Sequence, residues 1–121
     1  YFHPCSDYAQ QAINAQVALQ AKSGGNALMG RQLYPVLIKA GFKNCRVSPR
    51  MVYVDSSRPE LVEGFTKNTF TAMIEGIKEK VLSASIISEA DFNMGIKDLY
   101  RTAEDDGVFC YTFFKGTGYN I

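Results

Sequence analysis

The strongest constraint on the fold lies in Leu28–Asp55, which reads as a helix, a glycine stop and a long strand in direct succession. Leu33, Leu37 and Ala40 recur at helical spacing and give the helix one apolar stripe. Lys39 sits in the last turn, where a cation suits the negative end of the helix dipole. Gly41 falls where a left-handed residue closes a helix cheaply, and Phe42 can fold back onto the last turn. Asn44–Asp55, with Val47, Val52, Tyr53 and Val54, then reads as a strand. A helix stopped by glycine and feeding a strand is the αβ half of an α/β unit. The rest of the chain must lead into that unit or pack on it.

Before it, Ser6 and Asp7 after Pro4 can cap a helix carrying Ala9, Ala12, Ile13, Val17 and Leu19, which ends near Ser23-Gly24-Gly25. Asn26 can cap the second helix, and Pro35 inside it predicts a kink or a late start near Arg31. Pro49 cannot donate to a ladder, so a break is predicted there. After the strand, Pro59 suits a first helical turn continued by Leu61, Val62 and Phe65. Phe70, Met73, Ile74, Ile77 and Val81 carry a second helical piece to about Ser83. Ser88 with Asp91 resembles a capping box opening a helix whose inner face is Phe92, Ile96, Leu99, Tyr100 and Ala103. Asp105-Asp106-Gly107 is a turn, and Val108–Lys115 is a strand with both faces largely apolar, which predicts burial on both sides. Two strands alone are marginal in water, so further strands or a second copy of the chain are expected to complete the sheet.

Composition excludes several classes of function. The chain has 121 residues, the size of one domain, and 13 basic residues against 12 acidic ones with no run of either sign. No electrostatic case for nucleic acid follows. The apolar runs are too short to span a bilayer, and neither a membrane segment nor a secretory leader is expected. Cys5, Cys45 and Cys110 are odd in number and widely spaced, which argues against a disulfide framework and a metal site and for a reducing, cytoplasmic setting. The sequence begins inside an aromatic cluster, Tyr1-Phe2-His3-Pro4, whereas domain boundaries are usually polar; the expectation is a piece of a longer chain.

Several stretches resemble a known family. Gly30-Arg31-Gln32-Leu33-Tyr34-Pro35, Ala40-Gly41-Phe42, Val47–Asp55 and Phe109–Lys115 resemble the C-terminal part of class I, Rossmann-like S-adenosylmethionine-dependent methyltransferases of microbes. The resemblance covers most of the chain. It implies an α/β fold (α+β for this portion alone) whose sheet ends in an antiparallel pair, with Asn44–Asp55 as strand six and Val108–Lys115 as strand seven. It also implies a helical insertion between them, residues 59–104, capping a small-molecule substrate.

The family's cofactor site lies in its N-terminal half, on a glycine-rich loop after the first strand and an acidic residue after the second. Neither is present here; Ser23-Gly24-Gly25-Asn26 follows a helix and reads as a turn. S-adenosylmethionine is therefore expected in the complete enzyme and not on this chain. Methyl transfer needs an aligned nucleophile, sometimes a base, and a pocket that excludes water. His3, the only histidine, is the candidate base, placed by the resemblance just after the fifth strand; the ordinary alternative is a loop residue. Tyr1 and Tyr53 are candidate pocket lining or, alternatively, core. Arg50 and Arg58 are candidates for gripping an anionic substrate group, or else solvated surface or ion-pair partners of Asp55 or Glu60. The reading of a different class is a self-contained α+β binding or dimerisation module. If the chain is a fragment, the sheet edge and face that met the lost strands are left exposed, with Val47, Val52, Phe109 and Phe113 as contributors, which predicts a homo-oligomer.

Overall fold

The computed structural model describes residues 1–121. Helix α1 spans Asp7–Lys22, and the Ser6 hydroxyl accepts the Ala9 N–H at 3.0 Å as its N-cap. Ser6 Oγ also donates to Asp98 Oδ2 at 2.6 Å, so one hydroxyl starts α1 and ties it to a later helix. The helix ends at Gly24, whose φ of +85° only glycine adopts freely. Its buried stripe is Ala9, Ala12 and Ala15, with Ile13, Val17 and Leu19 half-buried at its margin.

The Asn26 side chain accepts the Leu28 N–H, and a 3-10 turn over Met29–Gln32 leads into α2, Leu33–Lys39. The late start places Pro35 in the first turn of α2, where its missing N–H breaks no helical bond. Gly41 has φ +92°, Phe42 N–H reaches Leu37 O and Gly41 N–H reaches Ile38 O, a Schellman closure of the expected kind.

Strand β2, Lys43–Asp55, pairs antiparallel with β3, Val108–Tyr119, and nearly all the helices between them leave this pairing intact. The register runs unbroken through Pro49 opposite Phe114; the irregularity lies instead between Lys43 and Arg46, where Asn44 has φ +50°. The break predicted at Pro49 is thus corrected. Because β2 is an edge strand, Pro49 occupies a position whose missing N–H would point away from β3. A third strand, β1 (Phe2–His3), pairs antiparallel with β3 on its other side, giving the order β1-β3-β2. The protein is therefore mixed α/β with a three-stranded antiparallel sheet, and part of the expected missing strand material is the aromatic cluster at the start of the chain.

Residues 59–101 form short helical pieces: α3 (Pro59–Leu61), a π-helical stretch (Val62–Thr71), α4 (Ala72–Glu75), α5 (Lys78–Ser83) and α6 (Glu89–Arg101). Two longer pieces were expected before α6, and the wide π turn differs from both; the Thr69 hydroxyl donates to Gly64 O, five residues back, at 2.6 Å. Ser88 caps α6 by accepting the Asp91 N–H. Phe92, Gly95 and Leu99 are its buried face, whereas Tyr100 turns outward and donates to Glu75 Oε2 at 2.7 Å.

The sheet separates two unequal layers. On one face Val54 and Phe109 join Phe70, Ile74, Val81, Phe92, Leu99 and the α1 alanines in the core, and Phe65 and Phe70 stack at a tilt against Phe109 and Tyr111. On the other face α2 covers only the far end, with Leu33 and Leu37 over Gly116 and Phe114 against Gly30. Burial of β3 on both sides is not what the structure gives: Phe109 is 3% exposed, Tyr111 40% and Phe113 47%. Val47 and Val52 are half-buried, so of the four apolar contributors expected at an open surface only Phe113 is exposed.

Candidate functional site

Side chains directly opposite each other in a sheet share a face. That rule assembles the candidate residues at the end of the sheet where β1 and β2 stop and β3 begins. His3, Val108 and Asp55 form the outermost row, since Val108 pairs with both neighbours. The next row is Tyr1, Cys110 and Tyr53: Tyr1 and Cys110 exchange both main-chain bonds, at 3.0 and 2.7 Å, and Tyr53 lies opposite Cys110. Met51 and Thr112 follow. His3, Tyr1 and Tyr53 thus share one face, the one turned away from the main helical layer. Two strand spacings separate His3 from Asp55, about 10 Å, enough for a small acceptor to lie between them over Val108 and Cys110.

Asp55 is the electrostatic centre of this row. The Ser57 hydroxyl and the Ser57 N–H, the latter at 2.9 Å, both donate to its Oδ1. These bonds, hydroxyl first, hold the carboxyl below its ordinary value, with Tyr53 and the Arg58 charge adding to them. In return, hydrogen bonding toward Asp55 and then its negative charge push the Tyr53 phenol up. On the His3 side, Asp106 is held low first by Arg101, whose guanidinium meets both carboxylate oxygens at 2.6 and 2.9 Å, with His3 contributing a smaller favourable charge. His3 itself is exposed, within electrostatic reach of Asp106.

Not every expected residue joins this face. Arg50 lies opposite Phe113, on the face of Val52 and Val54, and Arg58 sits in the turn after β2, its N–H bonded to Asp55 O. Neither arginine makes an ion pair with Asp55 or Glu60; the ion pairs are Glu63–Lys67, Lys78–Glu89 and Arg101 with Glu104 and Asp106. The helices of 59–101 pack against Phe109 and Tyr111, so they cover the opposite face from His3 and Tyr53 and act here as core. None of the five main surface grooves reaches His3, Tyr53, Asp55 or Arg58; Tyr1 alone borders one, of about 610 Å³. The row is a flat, open platform.

The sequence reading missed Asp55 and Ser57 as site residues, and Cys110 and Asp106 beside them. An aspartate followed two residues later by serine at a strand end is the local signal for such a turn; the neighbours from β3 carry no local signal at all. Gly24 and Gly25 do not substitute for a cofactor loop, because their N–H groups are spent on Ala21 O and Gln20 O in closing α1. No family model matches the chain, and no curated protein matches it significantly.

Proposed function

We propose that this chain is the C-terminal, substrate-side part of an S-adenosylmethionine-dependent methyltransferase acting on a small molecule in the cytoplasm. The observation that carries this reading is the pairing of β2 with β3: the strands that the resemblance makes six and seven lie antiparallel although residues 56–107 separate them. The β1 stub ending at His3 supports it, since the resemblance puts the end of the fifth strand there. In this reading His3 takes the proton of the acceptor and Tyr1 and Tyr53 hold its apolar part. Arg58, with Asp55 beside it, meets a polar group at the strand ends; Arg50, on the other face, has no place in this arrangement. The cofactor does not fit residues on this chain, whose one glycine pair closes a helix, so no step is routed through it. An open platform also lacks the water exclusion that methyl transfer needs, which is consistent with a partner segment completing the site.

Calorimetric titration tests the reading. The 121-residue chain alone is expected to give no heat of binding with S-adenosylmethionine, while the longer polypeptide containing it binds in the micromolar range. Micromolar binding by this chain alone, or none by the longer polypeptide, overturns it.

A further inference from the structure

The two signs of charge, nearly balanced in sum, are separated in space. All 12 acidic residues lie outside segments 23–54 and 107–121, which carry Arg31, Lys39, Lys43, Arg46, Arg50 and Lys115. Register then gathers the strand cations on one face. Residues directly opposite each other share a face, and the face of Val54 and Phe109 continues past the helical layer in four successive rows. These are Arg50 with Phe113, Ser48 with Lys115, Arg46 with Thr117 and Lys43 with Tyr119, one cation in each. In an unbroken ladder Lys43 would face the other side; the extra residue of the bulge, where Asn44 has φ +50°, turns it to this one. All of these side chains are exposed, and the ion pairs of the molecule, which lie within 63–106, include none of the four cations. Net charge and the absence of runs, from which no case for nucleic acid followed, do not register this placement.

We propose that this face binds single-stranded nucleic acid, its backbone running along β2 and its bases turned onto the rings of β3. Three features select that partner. The rows are about 7 Å apart, a step of the same order as that between successive phosphates of an extended single strand. Phe113 and Tyr119, 47% and 63% exposed, lie on β3 beside the β2 cations and offer stacking surface that a duplex, with its bases already stacked inside, cannot use. No carboxylate lies in either segment to repel a phosphate. An acidic peptide or an anionic bilayer would engage the cations and leave the rings without a partner. The proposal is independent of methyl transfer, whose candidates His3, Tyr1 and Tyr53 lie on the opposite face, and it stands if that reading fails.

The test titrates the intact 121-residue chain into a fluorescein-labelled oligouridine of about ten nucleotides, a usual site size for such faces, and follows anisotropy. Saturable binding is expected, weakening roughly fiftyfold from 50 to 200 mM salt when four phosphates are met. Arg46→Gln, Arg50→Gln and Lys115→Gln are each expected to weaken binding severalfold and to flatten that salt dependence. Lys97→Gln, an equal loss of charge on α6, is expected to change neither. Phe113→Ala is expected to weaken binding about tenfold at every salt concentration. Ser48→Glu, which sets a carboxylate among the cations, is expected to abolish it. An RNA duplex of the same length is expected to bind at least about tenfold more weakly than the single strand, a comparison that needs no variant. Absence of binding, equal binding of duplex and single strand, or an equal loss in Lys97→Gln overturns the proposal. So does binding to phosphatidylserine vesicles through the same cations with none to the oligonucleotide, because the face then belongs to a membrane.

Discussion

Single residues here act at element ends more than inside elements. Ser6 is the clearest case, since its hydroxyl accepts from Ala9 and donates to Asp98 at once. Ser6→Ala removes the cap and strands a half-buried carboxylate oxygen, and is expected to cost about 1–2 kcal/mol, read as a lower urea midpoint with an unchanged slope. Asp55 gives a pH signature. Its folded pKa lies below the unfolded value of 3.8, so the unfolded state binds more protons in that range and stability falls as pH drops through the folded pKa. Above the unfolded value its contribution is fully present. Asp55→Asn is therefore expected to flatten the stability profile below about pH 4 and to change it little near neutrality in slope. An equal acid slope in wild type and variant, measured by thermal unfolding, contradicts this assignment.

At the scale of elements, α1 meets α6 through small residues. A Cβ on Gly95 would lie 2.5 Å from Tyr8 O and 2.8 Å from the Ala12 methyl, so the two helices approach as closely as their backbones permit. Gly95→Ala gains about 1 kcal/mol of helix propensity but forces the pair apart, and a net loss of about 1–3 kcal/mol is expected because the obstacle is backbone. The π-helical stretch holds the opposite kind of site. The hydroxyls of Thr66 and Thr71 are fully buried and have no hydrogen-bond partner. Thr71→Val keeps the shape and removes an unsatisfied group, so it is expected to raise the unfolding midpoint, by the equivalent of about 1 kcal/mol. A fall instead would mean that the hydroxyl is paired.

For the whole molecule, we propose that the isolated chain self-associates through the open platform of Tyr1, Met51 and Tyr53, which are 96, 64 and 49% exposed, and not through the valines and Phe109 first expected. Sedimentation is expected to show a dimer that Met51→Glu converts to a 13.4 kDa monomer. A monomeric wild type at low micromolar concentration refutes it. No helix is long and apolar enough to cross a membrane. The sequence by itself determined the elements with strong local signals: the Ser6 and Ser88 caps, the Gly41 closure, the presence of two long strands, and Phe92 and Leu99 on the inner face of α6, though not Tyr100, which turns outward. Each depends on contacts within a few residues, so local spacing suffices to read it. Only the tertiary structure decided that Phe2–His3 is a strand, that alanines and not Ile13 or Val17 form the deepest stripe of α1, and that Pro49 passes without a break. It alone brought His3 onto the face of Tyr53 and Asp55, which strand alternation already sets opposite Arg50. The strand outcomes depend on strand order and register, which join residues about 50 to 110 positions apart, and the α1 stripe depends on the close approach of α6 at Gly95; local spacing carries no information on either.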